Sequence, residues 1–419
     1  MFATSVSQPG HLGPVPEDAD QKSHHVKNLW GNTSKFTNPH DSFREPARWD
    51  IFGLLFGKLT GLGGWPEPTG AEISVVAPEL LPTRTEGHGS ANNALRATWL
   101  GHACYYVEFP SGLRVLFDPV FEDCCAPINA DTFRRYTKPA CAIADLPFVD
   151  AVIISHSHYD HLSYPTVQEI RNHFPQAHYF VGLGLRSWFE KSGITKVTEL
   201  DWWEDVELTL TPQGLAEADK AGGVASTSSA ATAEKGMSTS NPITARISCL
   251  PCQHNSGRGP FDAGKTLWCS WAVSSASGTP AQPENTKSVW FGGDTGYRTV
   301  PKVAPHEDDW EPPYDKLPVN PQFAQIGRLR GPFDLGLIPI GAYAPRHVFS
   351  SVHGNPYDAV ELFRDTKSKR AMGIHWGTWL LTPEEVVEPP RLLKKALKRR
   401  GIAEEGVFDV CNVGETREF

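Results

Sequence analysis

Ala151-Val152-Ile153-Ile154-Ser155-His156-Ser157-His158-Tyr159-Asp160-His161 is the stretch whose reading decides the rest of this chain. Its first four residues are apolar and mostly β-branched, which predicts a buried strand. The next seven carry three imidazoles and a carboxylate. Polar residues placed directly after such a strand lie at its carboxyl end, where α/β sheets keep their sites. Imidazole and carboxylate suit zinc, iron or manganese, and a tetrahedral zinc site needs only three or four such groups. The spacing suggests two metals. His156 and His158 point the same way along an extended turn, while Asp160 and His161 are displaced around the bend toward a second ion. One motif cannot fill two coordination shells, so other segments must supply ligands.

Three later segments offer them. Gly292-Gly293-Asp294-Thr295-Gly296 follows the strand-like Val289-Trp290-Phe291, and its glycines let the backbone bring Asp294 close to an ion. A carboxylate has two oxygens and can bridge a metal pair. His254 follows the β run Ala245–Leu250, and His375 sits in Gly373-Ile374-His375-Trp376-Gly377. Taken alone, either histidine reads first as a hydrogen-bonded structural or surface loop residue. The dense motif is what demands them as partners. His11, His24, His25, His40 and His88 lie in polar or Pro/Gly-rich sequence and read as solvated.

With these residues on the page, the chain resembles the metallo-β-lactamase superfamily. Thr98-Trp99-Leu100-Gly101-His102, Gln253-His254, Trp290 to Tyr297, Ile338 to Arg346 and Ile374-His375-Trp376-Gly377-Thr378 are similar to motifs of the N-acylphosphatidylethanolamine-hydrolysing phospholipase D group. Phe36-Thr37-Asn38-Pro39 and Arg48-Trp49 resemble that group too. The similarity spans about residues 30–385. Several of these motifs also occur in sugar-phosphate lactonase relatives. The resemblance implies an α/β fold, a four-layer αβ/βα sandwich, and two Zn2+ ions, with iron or manganese as alternatives. It places one ion on His156, His158 and His254, and the other on Asp160, His161 and His375, with Asp294 bridging. Two divalent cations about 3.5–4 Å apart activate water and neutralise charge on a phosphoryl group, so no side-chain nucleophile is required. The chain contains no Gly-x-Ser-x-Gly elbow.

Asp160, Asp294 and His353 are the candidate catalytic residues. His353 matches a family position near the metals and reads either as a hydrogen-bond donor to a phosphoryl oxygen or leaving group, or as a loop histidine. Tyr159, Tyr164, Tyr343 and Arg346 are candidate substrate contacts, with packing or structural ion pairing as the competing reading. His102 reads as support for the ligands. The leading function is a zinc-dependent phosphodiesterase that converts N-acylphosphatidylethanolamine to N-acylethanolamine and phosphatidic acid. The alternatives are a metal-dependent lactonase acting on a small phosphorylated or acyl ester, and a non-catalytic metal-containing lipid-binding protein. A phospholipid substrate, peripheral membrane contact and a homodimer are the partners in view.

The 419 residues carry a formal net charge of −9, which offers no general attraction to nucleic acid or anionic lipid. The basic run Lys394–Arg400 ends at Gly401 and suits the negative end of a helix, with lipid headgroups as the other reading. Eight cysteines show no disulfide framework, which suits a reducing compartment. The expected location is intracellular, cytoplasmic or peripheral on a membrane, with no secretory signal or spanning helix. Residues 1–30 read as a disordered tail, 31–419 as one domain, and 213–241 as a flexible low-complexity insertion. The apolar run 51–65 reads as a core-covering segment or as an interfacial element admitting lipid. Strands are predicted at Leu95–Leu100, Tyr105–Phe109, Arg114–Phe117, Ala177–Val181, Glu207–Thr211, Thr244–Leu250 and Leu335–Pro339. Helices are predicted at Thr166–His173, Leu185–Lys191, Pro356–Arg364 and Pro389–Arg400.

Overall fold

The computed structural model describes residues 2–62, 64–70, 72–84, 94–127, 130–212, 242–259, 261–276, 286–304 and 307–419. The expected insertion at 213–241 lies outside the described residues. In chain order the strands are β1 (Phe2–Val6), β2 (His25–Lys27), β3 (Thr33–Phe36), β4 (Arg96–Gly101), β5 (Cys104–Glu108) and β6 (Arg114–Phe117). Then come β7 (Ala151–Ile153), β8 (His178–Gly182), β9 (Val197–Leu200), β10 (Asp205–Pro212), β11 (Ile243–Leu250) and β12 (Ser270–Ala276). The last are β13 (Thr286–Phe291), β14 (Phe333–Pro339), β15 (Ser368–Ile374), β16 (Phe408–Asp409) and β17 (Thr416–Glu418).

Two sheets face each other. One has the order β1-β10-β11-β12-β13-β14-β15-β16, the other β17-β4-β5-β6-β7-β8-β9. Strand alternation assigns each side chain to a layer. Phe117 and Ile153 point into the core between the sheets, where Phe117 meets Phe291 with ring centroids 4.9 Å apart. Leu116, Val152 and Ile154 point outward and join Val167, Ile170 and Phe189 from the helices Tyr164–His173 and Arg186–Lys191. Phe323, Ile326, Val360, Leu362 and Leu393 cover the other sheet from the helices Gln322–Leu329, Pro356–Asp365 and Glu388–Arg399. This is the expected four-layer arrangement. Each fully buried Phe, Ile or Val contributes roughly 1.5–3 kcal/mol.

Local signals explain several boundaries. The Ser163 hydroxyl accepts from the Thr166 backbone amide at 3.3 Å, and Pro165 stands in the first turn of Tyr164–His173. Asn355 and Asp358 form a reciprocal capping box at the start of Pro356–Asp365. The basic run is the end of Glu388–Arg399, where Lys394 pairs with Glu405 and Arg400 with Glu361.

Two expectations are corrected. Residues 1–30 do not form a disordered tail. β1 pairs antiparallel with β10 at the sheet edge, and β2 and β3 form a hairpin. His24 and His25 are not solvated: their Nε2 atoms lie 2.8 and 2.9 Å from the two oxygens of buried Asp201. Lys22 sits 2.8 Å from the same carboxylate. The second correction concerns the helix Arg48–Thr60, which does not bury its apolar residues in the core. Trp49 is 83% exposed and Phe52 60%, and Phe56 and Leu59 are exposed with them. Among the described residues, no helix is long and apolar enough to cross a membrane.

Asp201 fastens the N-terminal segment, so Asp201→Asn is expected to cost about 1–3 kcal/mol. The variant should show a lower urea midpoint and faster proteolytic cleavage between β3 and the helix Arg48–Thr60. Unchanged protection would contradict this fastening role.

Candidate metal centre

Four strand ends deliver the site. β7 stops at Ile153, and the following turn is pinned by Asp118, which ends β6 on the neighbouring strand. The Ser155 amide donates to Asp118 Oδ1 at 2.7 Å and the Ser155 hydroxyl to Oδ2 at 2.5 Å. His254 follows β11, Asp294 follows β13 and His375 follows β15. Gly293 has φ +56°, and a Cβ there would stand 2.5 Å from the Ser155 Cβ. The close approach of the two loops therefore requires glycine at this position.

His156 Nε2 and His158 Nδ1 lie 2.8 Å apart, and His254 Nε2 is 3.3 Å from His158 Nδ1. Three ring nitrogens thus converge on one point. A second group consists of Asp160, His161 and His375, with Asp160 Oδ2 3.4 Å from both His161 Nε2 and His375 Nε2. Asp294 lies between the groups. Its Oδ2 is 3.1 Å from His161 Nε2 and 3.0 Å from His375 Nε2, but also 3.7 Å from His254 Nε2 and 3.8 Å from His156 Nε2.

Hydrogen bonds on the far sides of the rings select the inward nitrogens. His254 Nδ1 donates to Val352 O at 2.9 Å, and His161 Nδ1 to Asp118 Oδ2 at 2.6 Å. With Nδ1 engaged, each ring presents Nε2 to the centre as the nitrogen a metal would take. Buried His161 Nε2, His375 Nε2 and Asp294 Oδ1 have no hydrogen-bond partner among the described residues. Buried polar atoms without partners are uncommon, and here both ring nitrogens face Asp294 Oδ2. The donor set of imidazoles and carboxylates fits a divalent transition metal.

The electrostatics point the same way. Burial holds His156 and His254 well below the usual imidazole range, with neighbouring imidazoles adding to the effect. Burial also opposes charge on His161 and His375. The carboxylates of Asp294 and Asp160 override it, raising His161 well above its ordinary value and His375 to about 9. In turn, Asp160 and Asp294 are held far below the usual carboxylate range against their own burial, His161 being the largest stabilising charge on both. The pocket demands positive charge, which a bound cation can supply.

The other predicted residues divide. His353 is near the centre, with Nδ1 3.9 Å from Asp294 Oδ2 and its ring 5.0 Å from that of His254. His102 Nε2 lies 3.1 Å from Asp160 Oδ2 and supports that carboxylate. Tyr159 and Tyr164 line a groove of about 440 Å³ beside Asp160. Two expectations fail. Tyr343 is buried, and its hydroxyl donates to Glu388 Oε1 at 2.6 Å. Arg346 is engaged by Asp309 at 2.9 Å and Asp358 at 2.6 Å, so its charge is already neutralised. Arg346 donates to the His353 carbonyl at 3.5 Å and Tyr343 ties its own loop to the helix Glu388–Arg399, so neither presents a free polar group to phosphate.

Asp118 and Arg258 escaped the sequence reading. Asp118 follows the predicted strand Arg114–Phe117, in the same relation to its strand as the ligands have to theirs, and that position was the available signal. Arg258 lines the groove, stacks 3.9 Å from the Tyr159 ring, and donates to the carbonyls of Ser157 and Leu162 at 2.9 and 2.7 Å. Burial lowers its pKa against the pull of Tyr159 and the Asp262 and Asp160 carboxylates. His102, Asp118 and His375 adopt positive φ values of 51°, 38° and 62°, backbone strain gathered around one centre.

The chain is similar to several known proteins. Residues 113–376 match the family described as Beta-lactamase superfamily domain. The chain is 34% identical over 334 residues to N-acyl-phosphatidylethanolamine-hydrolyzing phospholipase D 1 of Caenorhabditis elegans, covering 78% of this chain and 77% of that protein. It is 27% identical over 353 residues to the mitochondrial N-acyl-phosphatidylethanolamine-hydrolyzing phospholipase D of Saccharomyces cerevisiae, covering 83% and 61%. A solved metallo hydrolase from Ignicoccus hospitalis aligns over 78% of this chain and 98% of its own, with a TM-score of 0.44 and 16% identity. The chain belongs to the metallo-β-lactamase superfamily and is a metal-dependent hydrolase related to the N-acyl-phosphatidylethanolamine-hydrolyzing phospholipases D.

Proposed function

We propose that this protein hydrolyses the distal phosphodiester of N-acylphosphatidylethanolamine, releasing N-acylethanolamine and phosphatidic acid, with two zinc ions at the centre. The convergence of seven predicted side chains, with Asp294 shared between two groups, is the observation that carries the reading. His156, His158 and His254 would hold one ion and Asp160, His161 and His375 the other. When bound, the pair would polarise water and offset charge on the phosphoryl group. His353 faces Asp294 across the pocket. Burial lowers its pKa to about 4, so it is neutral near pH 7 and can offer a ring N–H to a phosphoryl or leaving-group oxygen.

The surroundings support a lipid diester over a small ester. The groove near Asp160 combines the rings of Tyr159 and Tyr164 with the guanidinium groups of Arg258 and Arg134 and the carboxylates of Glu122 and Asp123. The helix Arg48–Thr60 exposes Trp49, Phe52, Phe56 and Leu59. Its Lys58 turns back to donate to the carbonyl of Leu380, five residues beyond His375. An apolar helix tied to the metal loop in this way would lie in a lipid interface and hold the centre close to the headgroups.

Three measurements test this reading. Purified wild-type protein with zinc should release N-acylethanolamine from lipid vesicles, and reaction in 18O-water should label the phosphatidate. Asp294→Asn should reduce turnover to background. Failure to turn over the lipid, with rapid opening of a phosphorylated lactone, would reverse the assignment. Asp118→Ala, which removes the acceptor that orients His161, should lower metal affinity or activity roughly 10- to 100-fold in chelator competition. Replacing Phe52 and Phe56 together by Glu should weaken vesicle binding about tenfold or more. Turnover of a monomeric short-chain diester should stay close to wild type. Equal loss on both substrates would argue against an interfacial helix.

A further inference from the structure

The segment after β3 runs across the back of the metal centre. Asn38 Nδ2 donates to the His254 carbonyl at 2.7 Å. The indole Nε1 of buried Trp268 donates to Asn38 Oδ1 at 3.2 Å. An indole nitrogen can only donate, so this bond fixes the amide orientation and directs its N–H at His254. Four residues on, the Ser42 hydroxyl donates to Gln253 Oε1 at 2.6 Å, and its carbonyl accepts from Thr299 Oγ1 at 2.7 Å. The segment therefore joins the loop bearing His254 to the loop that follows Asp294.

This lacing connects to the Asp201 anchor. The His24 ring stacks on Trp202 with centroids 4.1 Å apart, and Trp202 Nε1 donates to the Trp268 carbonyl at 2.8 Å. A continuous set of contacts thus runs from Asp201 through His24, Trp202 and Trp268 to Asn38 and His254. The His254 ring is oriented by Val352, but its backbone carbonyl is held by Asn38. Outer hydrogen bonds of this kind decide how accurately a ligand meets its ion.

We propose that Asn38 is a positioning residue for His254, so that the N-terminal strap sets the affinity of the three-imidazole metal position. The inference rests on the two-ion reading and adds to it an element remote in sequence from every ligand. The Asp160–His161–His375 position receives no bond from Asn38 and should not respond.

The test uses the full chain loaded with cobalt(II) and titrated with EDTA, following visible absorption. His158→Ala and Asp160→Ala, which each remove a ligand from one group, assign the two release phases. Asn38→Ala is expected to release the three-imidazole ion roughly 10- to 100-fold more readily and to leave the other phase unchanged. Asn38→Asp has the same size and keeps an acceptor for Trp268 but loses the donor. It should show the same selective loss, and it decides the matter if the alanine variant does not fold. Wild-type release from Asn38→Asp, or equal weakening of both phases, would overturn the proposal. A wild-type protein that holds one ion would overturn the two-ion reading and this assignment together. Two ions with unaltered variants would overturn only the role of Asn38.

Discussion

Three carboxylates, Asp118, Asp160 and Asp294, crowd into an interior lined by imidazoles, and the surrounding structure is arranged to tolerate them. Buried charge is costly unless it meets opposite charge and hydrogen bonds. Here the compensation is unequal. Asp118 is bonded by Ser155 and His161 and completes its hydrogen bonding within the protein. Asp160 and Asp294 instead direct oxygen toward ring nitrogens that lack hydrogen bonds of their own. The first arrangement holds a ligand in place, and the second is a demand for a cation. The positive φ values of His102, Asp118 and His375 belong to the same constraint, because left-handed backbone turns these side chains into a space that extended strands would overshoot.

Neither sheet builds this centre alone. His156 to His161 come from one sheet, while His254, Asp294 and His375 come from the other. Alignment of the sheets is therefore part of the site. Phe117 against Phe291 and the bond from Trp271 Nε1 to the Ile154 carbonyl at 3.1 Å lock that alignment directly beneath the ligands. The αβ/βα architecture suits such a centre because strand ends from two independent layers can approach one point, with helices excluded to the outside.

The candidate ligand set could be read from the sequence because its segments each follow a short apolar run, and that pattern survives in one dimension. The strands around Arg114–Phe117 and Ala151–Ile153 were legible for the same reason. What escaped depends on partners far away in the chain. His24 and His25 stand in polar sequence, and their burial is created by Asp201, 177 and 176 residues downstream. Arg346 was read as a phosphate contact because an arginine near a site implies free charge, yet Asp309 and Asp358 reach it from separate segments. Residues 51–65 read most simply as core cover because their composition resembles a core. Composition cannot say that the two sheets already fill the interior without them.

The proposed attachment to lipid then has a definite physical character. A formal net charge of −9 would repel an anionic surface, so general electrostatic attraction is a poor source of binding. On the helix Arg48–Thr60, Lys58 is withdrawn against Trp65, Phe133 and the Leu380 carbonyl, and burial lowers its pKa to about 8. Trp49, Phe52, Phe56 and Leu59 dominate its exposed face, and their attraction to an interface would scale with apolar area removed from water. Binding through apolar area is insensitive to salt and leaves cationic groups free for the interior path. On the proposed reading, the outer contact would select for a lipid phase instead of a particular headgroup, and the buried centre would supply the charge that meets the diester.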